Sequence, residues 1–147
     1  MRAVLQRVGS ARVAVSGAVI GEIGPGILAL VAIAPGDGAA EVAWMAAKLA
    51  ELRIFVDDSG KMNRSVLDEG FGVLLVSQFT LYADVRKGRR PSFLGVAAPE
   101  RAAPLFDALV SAVRALGVAR VETGSFGAHM EVSLLNDGPF TLVVDTP

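Results

Sequence analysis

Glycine and proline punctuate this chain at intervals too short for anything but brief strands over most of its length. The 16 glycines and 7 prolines are spread along the sequence rather than clustered, as turns between many short strands require. The longest uninterrupted apolar run, Ile27 to Ala34, is bounded by Gly26 and Pro35. It has the length of one buried strand and is far too short to span a bilayer. Before it, residues 2–8 (RAVLQRV) and 11–15 (ARVAV) read as two strands around Gly9-Ser10. Ser16-Gly17 marks the next turn, Val19 to Ile23 another strand, and Pro35-Gly36-Asp37-Gly38 a loop.

Two segments change period. Val42, Met45, Ala46 and Leu49 fall at helical spacing, which predicts an amphipathic helix over 39–52. A longer stripe (Ala102, Leu105, Phe106, Leu109, Val110, Val113 and Leu116) predicts a second helix stopped at Gly117. Pro104 fits a helix only within its first turn, which leaves the start of this one open. Between the helices, Arg53 to Val56 and residues 72–76 (GVLLV) read as strands. Residues 82–98 lack a period and read as a loop. Residues 119–123, 131–135 and 140–144 read as closing strands. Asn136-Asp137-Gly138-Pro139 then looks like a hairpin turn between the last two, although Pro139 brings no N–H to a sheet. The expectation is an α+β fold, a single domain over 1–147, with short strands curled into a barrel-like or sandwich-like sheet system and two main helices.

Composition narrows the chemistry. A hydrophobic fraction of 52% permits a sizeable core. There is no cysteine, which excludes disulfides, Cys-zinc sites and a Cys nucleophile. The one histidine, His129, excludes a poly-His metal site within one chain. No apolar leader follows Met1-Arg2, so a cytoplasmic protein is expected, with no membrane partner. A net charge of −1 means that any surface for nucleic acid must be local.

Three features could carry chemistry. Ser77-Gln78-Phe79-Thr80-Leu81 follows the apolar strand 72–76 directly. Ser77 or Thr80 would be a nucleophile if a base stood near; otherwise they satisfy the backbone at a strand end. His129 would have to serve any Ser-His-Asp arrangement, against the plainer reading of a structural or surface residue. Arg86, Lys87, Arg89 and Arg90 place four cations within five residues, enough to hold phosphates or simply to solvate a loop. Asp57-Asp58 and Asp68-Glu69 sit in glycine-containing contexts and read as turn residues. No glycine-rich phosphate loop is present.

Over essentially its whole length the chain resembles the D-aminoacyl-tRNA deacylases, also called D-Tyr-tRNA deacylases. The resemblance is carried by LQRV (5–8), GEIGPG (21–26), RIF (53–55), GKMN (60–63) and RPSF (90–93). Two signatures are specific: SQFTL at 77–81, and N-x-G-P-x-T at Asn136, Gly138, Pro139 and Thr141.

The resemblance implies a metal-free and cofactor-free homodimer with two sites at its interface. It implies hydrolysis of the ester between a D-amino acid, or a misattached glycine, and the 3′-terminal adenosine of tRNA. It further implies that Gly138-Pro139 is a cis peptide reaching into the other subunit's pocket, where fixed carbonyls reject an L side chain. Backbone N–H groups near Gln78 and Phe79 would hold the ester carbonyl, with Ser77 and Thr80 in support. The ribose 2′-hydroxyl would help to activate water. Arg7 would brace the Gly-Pro segment with Asn136 and Thr141, and Met130 would line the pocket. Arg86, Lys87, Arg89 and Arg90 would touch the tRNA backbone. The family often has an acidic residue where this chain has His129, which weakens a general-base role there. Three other readings compete: a relative that removes L-alanine through a trans Gly-Pro, an esterase with a Thr80 or Ser77 nucleophile, and a non-catalytic RNA-binding module.

Overall fold

The computed structural model describes every residue from Met1 to Pro147. Its strands are β1 (Arg2–Val15), β2 (Ala18–Ile23), β3 (Gly26–Ala32), β4 (Phe55–Val56), β5 (Met62–Arg64), β6 (Gly72–Ser77), β7 (Arg120–Thr123) and β8 (Glu131–Asp145). The helices are α1 (Ala39–Glu51), α2 (Val66–Glu69) and α3 (Pro99–Ala115), with a 3-10 turn at Phe79–Tyr82. The main sheet runs β2-β1-β3-β6-β7, with β8 along the other edge of β1; β4 and β5 form a separate small hairpin.

The sheet curls until β7 returns to β2. At that seam a side chain on Gly21 would put its Cβ 2.6 Å from the Thr123 carbonyl oxygen, so only glycine lets the two strands approach. Inside the curl lie Val8, Ala11, Val13, Ile23, Leu28, Leu74 and Val76. Alternate residues of the same strands (Leu5, Ile27, Ala29, Val31, Val73 and Leu75) face outward and pack under α1 and α3. Strands β3 and β6 are parallel and buried on both faces, which is why they are written almost wholly in apolar residues. Each fully buried Leu or Ile among them contributes roughly 1.5–3 kcal/mol of transfer free energy. No helix is long and apolar enough to cross a membrane.

The structure corrects the sequence reading in several places. Residues 2–15 form one strand, not two. Gly9-Ser10 is an irregularity within it, because β8 pairs along nearly its full length. The expected hairpin at 136–139 does not form. Both halves of β8 run antiparallel to the same strand: Ala14 pairs with Glu131 at one end and Arg2 with Asp145 at the other. The chain does not reverse, and the intervening residues bulge outward between the Val8–Asn136 and Gln6–Thr141 pairs. Pro139 is tolerated there because the bulge asks nothing of its missing N–H.

Three smaller differences follow from local chemistry. Helix α3 starts at Pro99, so Pro104 lies in its second turn rather than its first. The expected strand at 53–56 shortens to Phe55–Val56. A third helix, α2, was hidden in the acidic pair read as a turn. Ser65 accepts from the Asp68 N–H while Asp68 accepts from the Ser65 N–H, a reciprocal cap that makes one helical turn.

Candidate functional site

Strands β3 and β6 end side by side, and a cavity of about 620 Å³ opens at their carboxyl ends. Its walls are Val31 to Ile33, Val76 to Phe79, the start of α3 (Pro99, Ala102, Phe106), and the segment from Phe126 to Met130. Phe93, Val96 and Ala97 close the side nearest the basic loop. The lining is mainly apolar and of ordinary size for a small-molecule site. His129, exposed at the rim, is the only ionisable side chain among the lining residues. A second, open depression is bounded by Arg53, Asp57, Asn63, Arg64 and Asp68 and has no apolar wall. Its groups are largely occupied with one another. Asp57 takes hydrogen bonds from Ser59, Lys61 and Asn63, and those from the Ser59 hydroxyl and the Asn63 amide hold its carboxyl far below the ordinary range. The apolar cavity is therefore the better candidate.

The SQFTL segment forms one lip of this cavity. The Gln78 N–H donates to the Val31 carbonyl at 2.8 Å, so it is already committed to extending the β3–β6 ladder. The next two residues open a 3-10 turn, and the first donors of such a turn have no acceptor behind them. The N–H groups of Phe79 and Thr80 thus have no partner within the protein. The unpartnered amides are therefore those of Phe79 and Thr80, whereas the sequence reading pairs Phe79 with Gln78. The Gln78 side chain turns back onto the segment, its Nε2 donating to Thr80 Oγ1. Thr80 does not line the cavity, and Ser77, which does, makes no side-chain hydrogen bond.

The far end of the turn is fixed as well. Arg2 Nη1 donates to the Leu81 carbonyl at 3.3 Å, and its guanidinium lies 5.2 Å from the centre of the Tyr82 ring. Arg2 is itself forked on Asp145 at 2.7 and 3.0 Å. Partial burial pushes the Tyr82 phenol above its ordinary pKa. The turn is therefore held from both sides, as a rigid lip should be.

Met130 lines the cavity, and Gly124 makes its position possible. A Cβ on Gly124 would overlap the Met130 sulfur. Phe93 and Phe79 pack edge to face at 5.1 Å beside the opening. The aromatic and alanine walls, Phe93, Phe106, Phe126, Ala97 and Ala102, were missed from the sequence. The signals present were Phe93 within RPSF, and Ala102 and Phe106 at i and i+4 on the α3 stripe, which reads equally well as core.

The C-terminal signature lies elsewhere. Arg7, Asn136, Gly138, Pro139 and Thr141 do not line the cavity of their own chain. They form the bulge of β8, in which the Gly138–Pro139 bond is cis. Arg7 stands opposite the bulge. Its Nε donates to the Asp137 carbonyl at 3.0 Å and lies 2.9 Å from Asp137 Oδ2, and its Nη1 donates to the Ile54 carbonyl at 2.8 Å. The guanidinium also sits 4.9 Å from the centre of the Phe140 ring. Asn136 spans the neck. Its amide donates to the carbonyls of Arg7 at 2.9 Å and Phe140 at 3.1 Å, and its oxygen accepts from the Phe140 N–H at 3.3 Å. Thr141 Oγ1 accepts from Gln6 Nε2 at 3.2 Å. Gly138 and Pro139 remain exposed at the tip.

The basic residues project from a small hairpin whose base is closed by two backbone hydrogen bonds between Asp84 and Ser92, at 2.8 and 2.9 Å. Arg86 folds back onto Asp84 (2.9 and 2.6 Å) and holds that carboxyl below its ordinary pKa. Lys87, Arg89 and Arg90 are exposed and have no carboxylate partner.

Comparison with known proteins finds relatives along nearly the whole chain. Residues 4–145 match the family model described as D-Tyr-tRNA(Tyr) deacylase. A D-aminoacyl-tRNA deacylase of Thermomicrobium roseum is 58% identical over 146 residues, covering 99% of this chain and 94% of the relative. Among solved structures, a c-Myc DNA unwinding element binding protein superposes with a TM-score of 0.94 at 39% identity, covering 100% of this chain and 99% of the other. A probable eukaryotic D-amino acid tRNA deacylase shares the fold at a TM-score of 0.83 and 21% identity, covering 99% and 98%.

Proposed function

The chain belongs to the D-Tyr-tRNA(Tyr) deacylase family, and from that premise we propose that it hydrolyses the ester joining a D-amino acid, or glycine, to the 3′-terminal adenosine of tRNA. The observation that carries the reading is the unpartnered N–H of Phe79, a residue lining the apolar cavity, with the unpartnered N–H of Thr80 next to it in the same turn. Donors held in place beforehand stabilise the oxyanion that forms when water attacks an ester carbonyl. The cavity accepts the terminal adenosine, and its aromatic wall suits a flat base. No Asp, Glu or Lys lines it, so the protein itself brings no carboxylate or amine base to the reaction. The ribose 2′-hydroxyl, adjacent to the ester, helps to activate the water.

Selectivity comes from the bulge. Gly138 and Pro139 are exposed and do not line the cavity of their own chain, which leaves them free to reach a cavity of another molecule. We assign them to the partner subunit's site in a homodimer, where rigid carbonyls exclude an L side chain and leave room for a D side chain or for glycine's hydrogen. The outer edge of β8 supports such pairing. It is a 15-residue strand bonded only to β1 and carries Leu135 and Val143, each 66% exposed. A long free edge with apolar side chains is a template for a second chain.

The test compares D-Tyr-tRNA, L-Tyr-tRNA and glycyl-tRNA, with a 2′-deoxy terminal adenosine as a fourth substrate. The D and glycine esters are cleaved, the L ester is spared, and the deoxy substrate resists. Equal cleavage of the two enantiomers overturns the role of the bulge; full activity on the deoxy substrate overturns that of the ribose. Lys87, Arg89 and Arg90 are proposed to contact tRNA phosphates for positioning. Replacing all three with alanine should flatten the dependence of log KM on log salt by about 0.7 per lost contact. An unchanged slope places the RNA on another surface.

A further inference from the structure

The basic hairpin is attached to the molecule at two points. One is the chain itself: Tyr82, the last residue of the 3-10 turn, leads through Ala83 to Asp84. The other is Phe93. From residue 85 to residue 95 every side chain is exposed except this one, whose ring packs edge-on against Phe79 at 5.1 Å and 70°. Beyond it Leu94 is 94% exposed, the Val96 N–H turns back onto the Phe93 carbonyl at 3.4 Å, and the backbone rejoins the sheet where the Ala97 N–H meets the Ile33 carbonyl at 2.9 Å. Phe79 is the residue whose free N–H stands at the cavity lip. Apart from the two ends of its chain, this aromatic contact is therefore the one side-chain tie between the hairpin with its three free cations and the turn that carries the proposed ester-binding donor.

We propose that Phe93 is a positioning residue that locks the basic hairpin to the catalytic turn, so that RNA phosphates held at the tip deliver the ester to the Phe79 and Thr80 donors. This rests on the function proposed above and specifies how binding at one surface is converted into alignment at another. Without the ring, the hairpin keeps its closed base but pivots about Ala83. Bound RNA is then no longer registered with the lip. A misplacement on the order of 1 Å costs about a hundredfold in rate. Phe93 lies outside both buried core clusters, so its removal leaves the core intact.

The experiment uses Phe93→Ala and Phe93→Tyr with two substrates: full-length D-Tyr-tRNA, and the 3′-D-tyrosyl ester of adenosine, which cannot reach the hairpin. Phe93 also lines the cavity, so both substrates lose rate in Phe93→Ala. The loss on full-length tRNA should exceed that on the short ester by about tenfold or more, with Phe93→Tyr restoring most of the difference. Equal losses on the two substrates, or no loss, overturn the proposal. Amide hydrogen exchange without substrate gives an independent readout. Exchange across residues 84–95 should quicken in Phe93→Ala and return toward wild type in Phe93→Tyr; an unchanged pattern also overturns it. Inactivity of the wild-type protein on both substrates would strike the proposed function instead, leaving the exchange result to judge the coupling.

Discussion

Phe79→Pro lowers the single-turnover rate on D-Tyr-tRNA by about 10²–10³-fold relative to Phe79→Leu. Proline deletes the N–H at the cavity lip and little else of the backbone. That N–H bonds to nothing in the protein, so no structural hydrogen bond is lost. The first residue of a helical turn suits proline's fixed φ. Gln78, at φ −142° and ψ 75°, lies outside the α region, as a residue before proline should. Both substitutions remove the aromatic ring and its contact with Phe93, worth roughly 0.5–1.5 kcal/mol. The ratio of the two variants therefore isolates the donor. If proline and leucine behave alike, the Phe79 N–H does not hold the oxyanion, and the site must be rebuilt around the Ser77 or Thr80 hydroxyl.

Arg7→Ala lowers kcat/KM by about a hundredfold on the same substrate, and Arg7→Lys recovers little of it. Arg7 makes three different contacts with one planar group: an Nε shared between the Asp137 carbonyl and carboxylate, an Nη1 bond to the Ile54 carbonyl, and a face against Phe140. A lysine ammonium can satisfy one of them at a time. The stability cost should be smaller, about 1–2 kcal/mol, because exposed Asp137 can turn to water once released. A large loss of activity with a small change in urea midpoint is the signature of a bulge that keeps its fold but loses its aim. Arg7→Ala acting at the wild-type rate would remove the bulge from the reaction, and with it the proposed chirality filter.

The elements that could be read from the residues were those whose side chains repeat. The α1 and α3 stripes, and the unbroken apolar runs of β3 and β6, follow from burial on one face or on both. SQFTL and N-x-G-P-x-T were legible as signatures, but their geometry was not. Asn136-Asp137-Gly138-Pro139 has the composition of a turn, and local preference favours a reversal of the chain. It becomes a bulge because β1 extends far enough to pair with β8 on both sides of it. Likewise nothing local reveals that the Gln78 N–H is taken, because its acceptor, Val31, belongs to a strand far back in the sequence.

The residues taken alone determined the fold class, the absence of thiol chemistry, the family resemblance and the two segments worth examining, since each depends on composition, period or a short pattern. Which amides stay free, which walls enclose the cavity, and that the Gly-Pro tip stands apart from its own chain's cavity were decided only in three dimensions. Those properties depend on which distant strand occupies each backbone donor and acceptor, and pairing between distant strands is a property of the assembled sheet rather than of any segment within it.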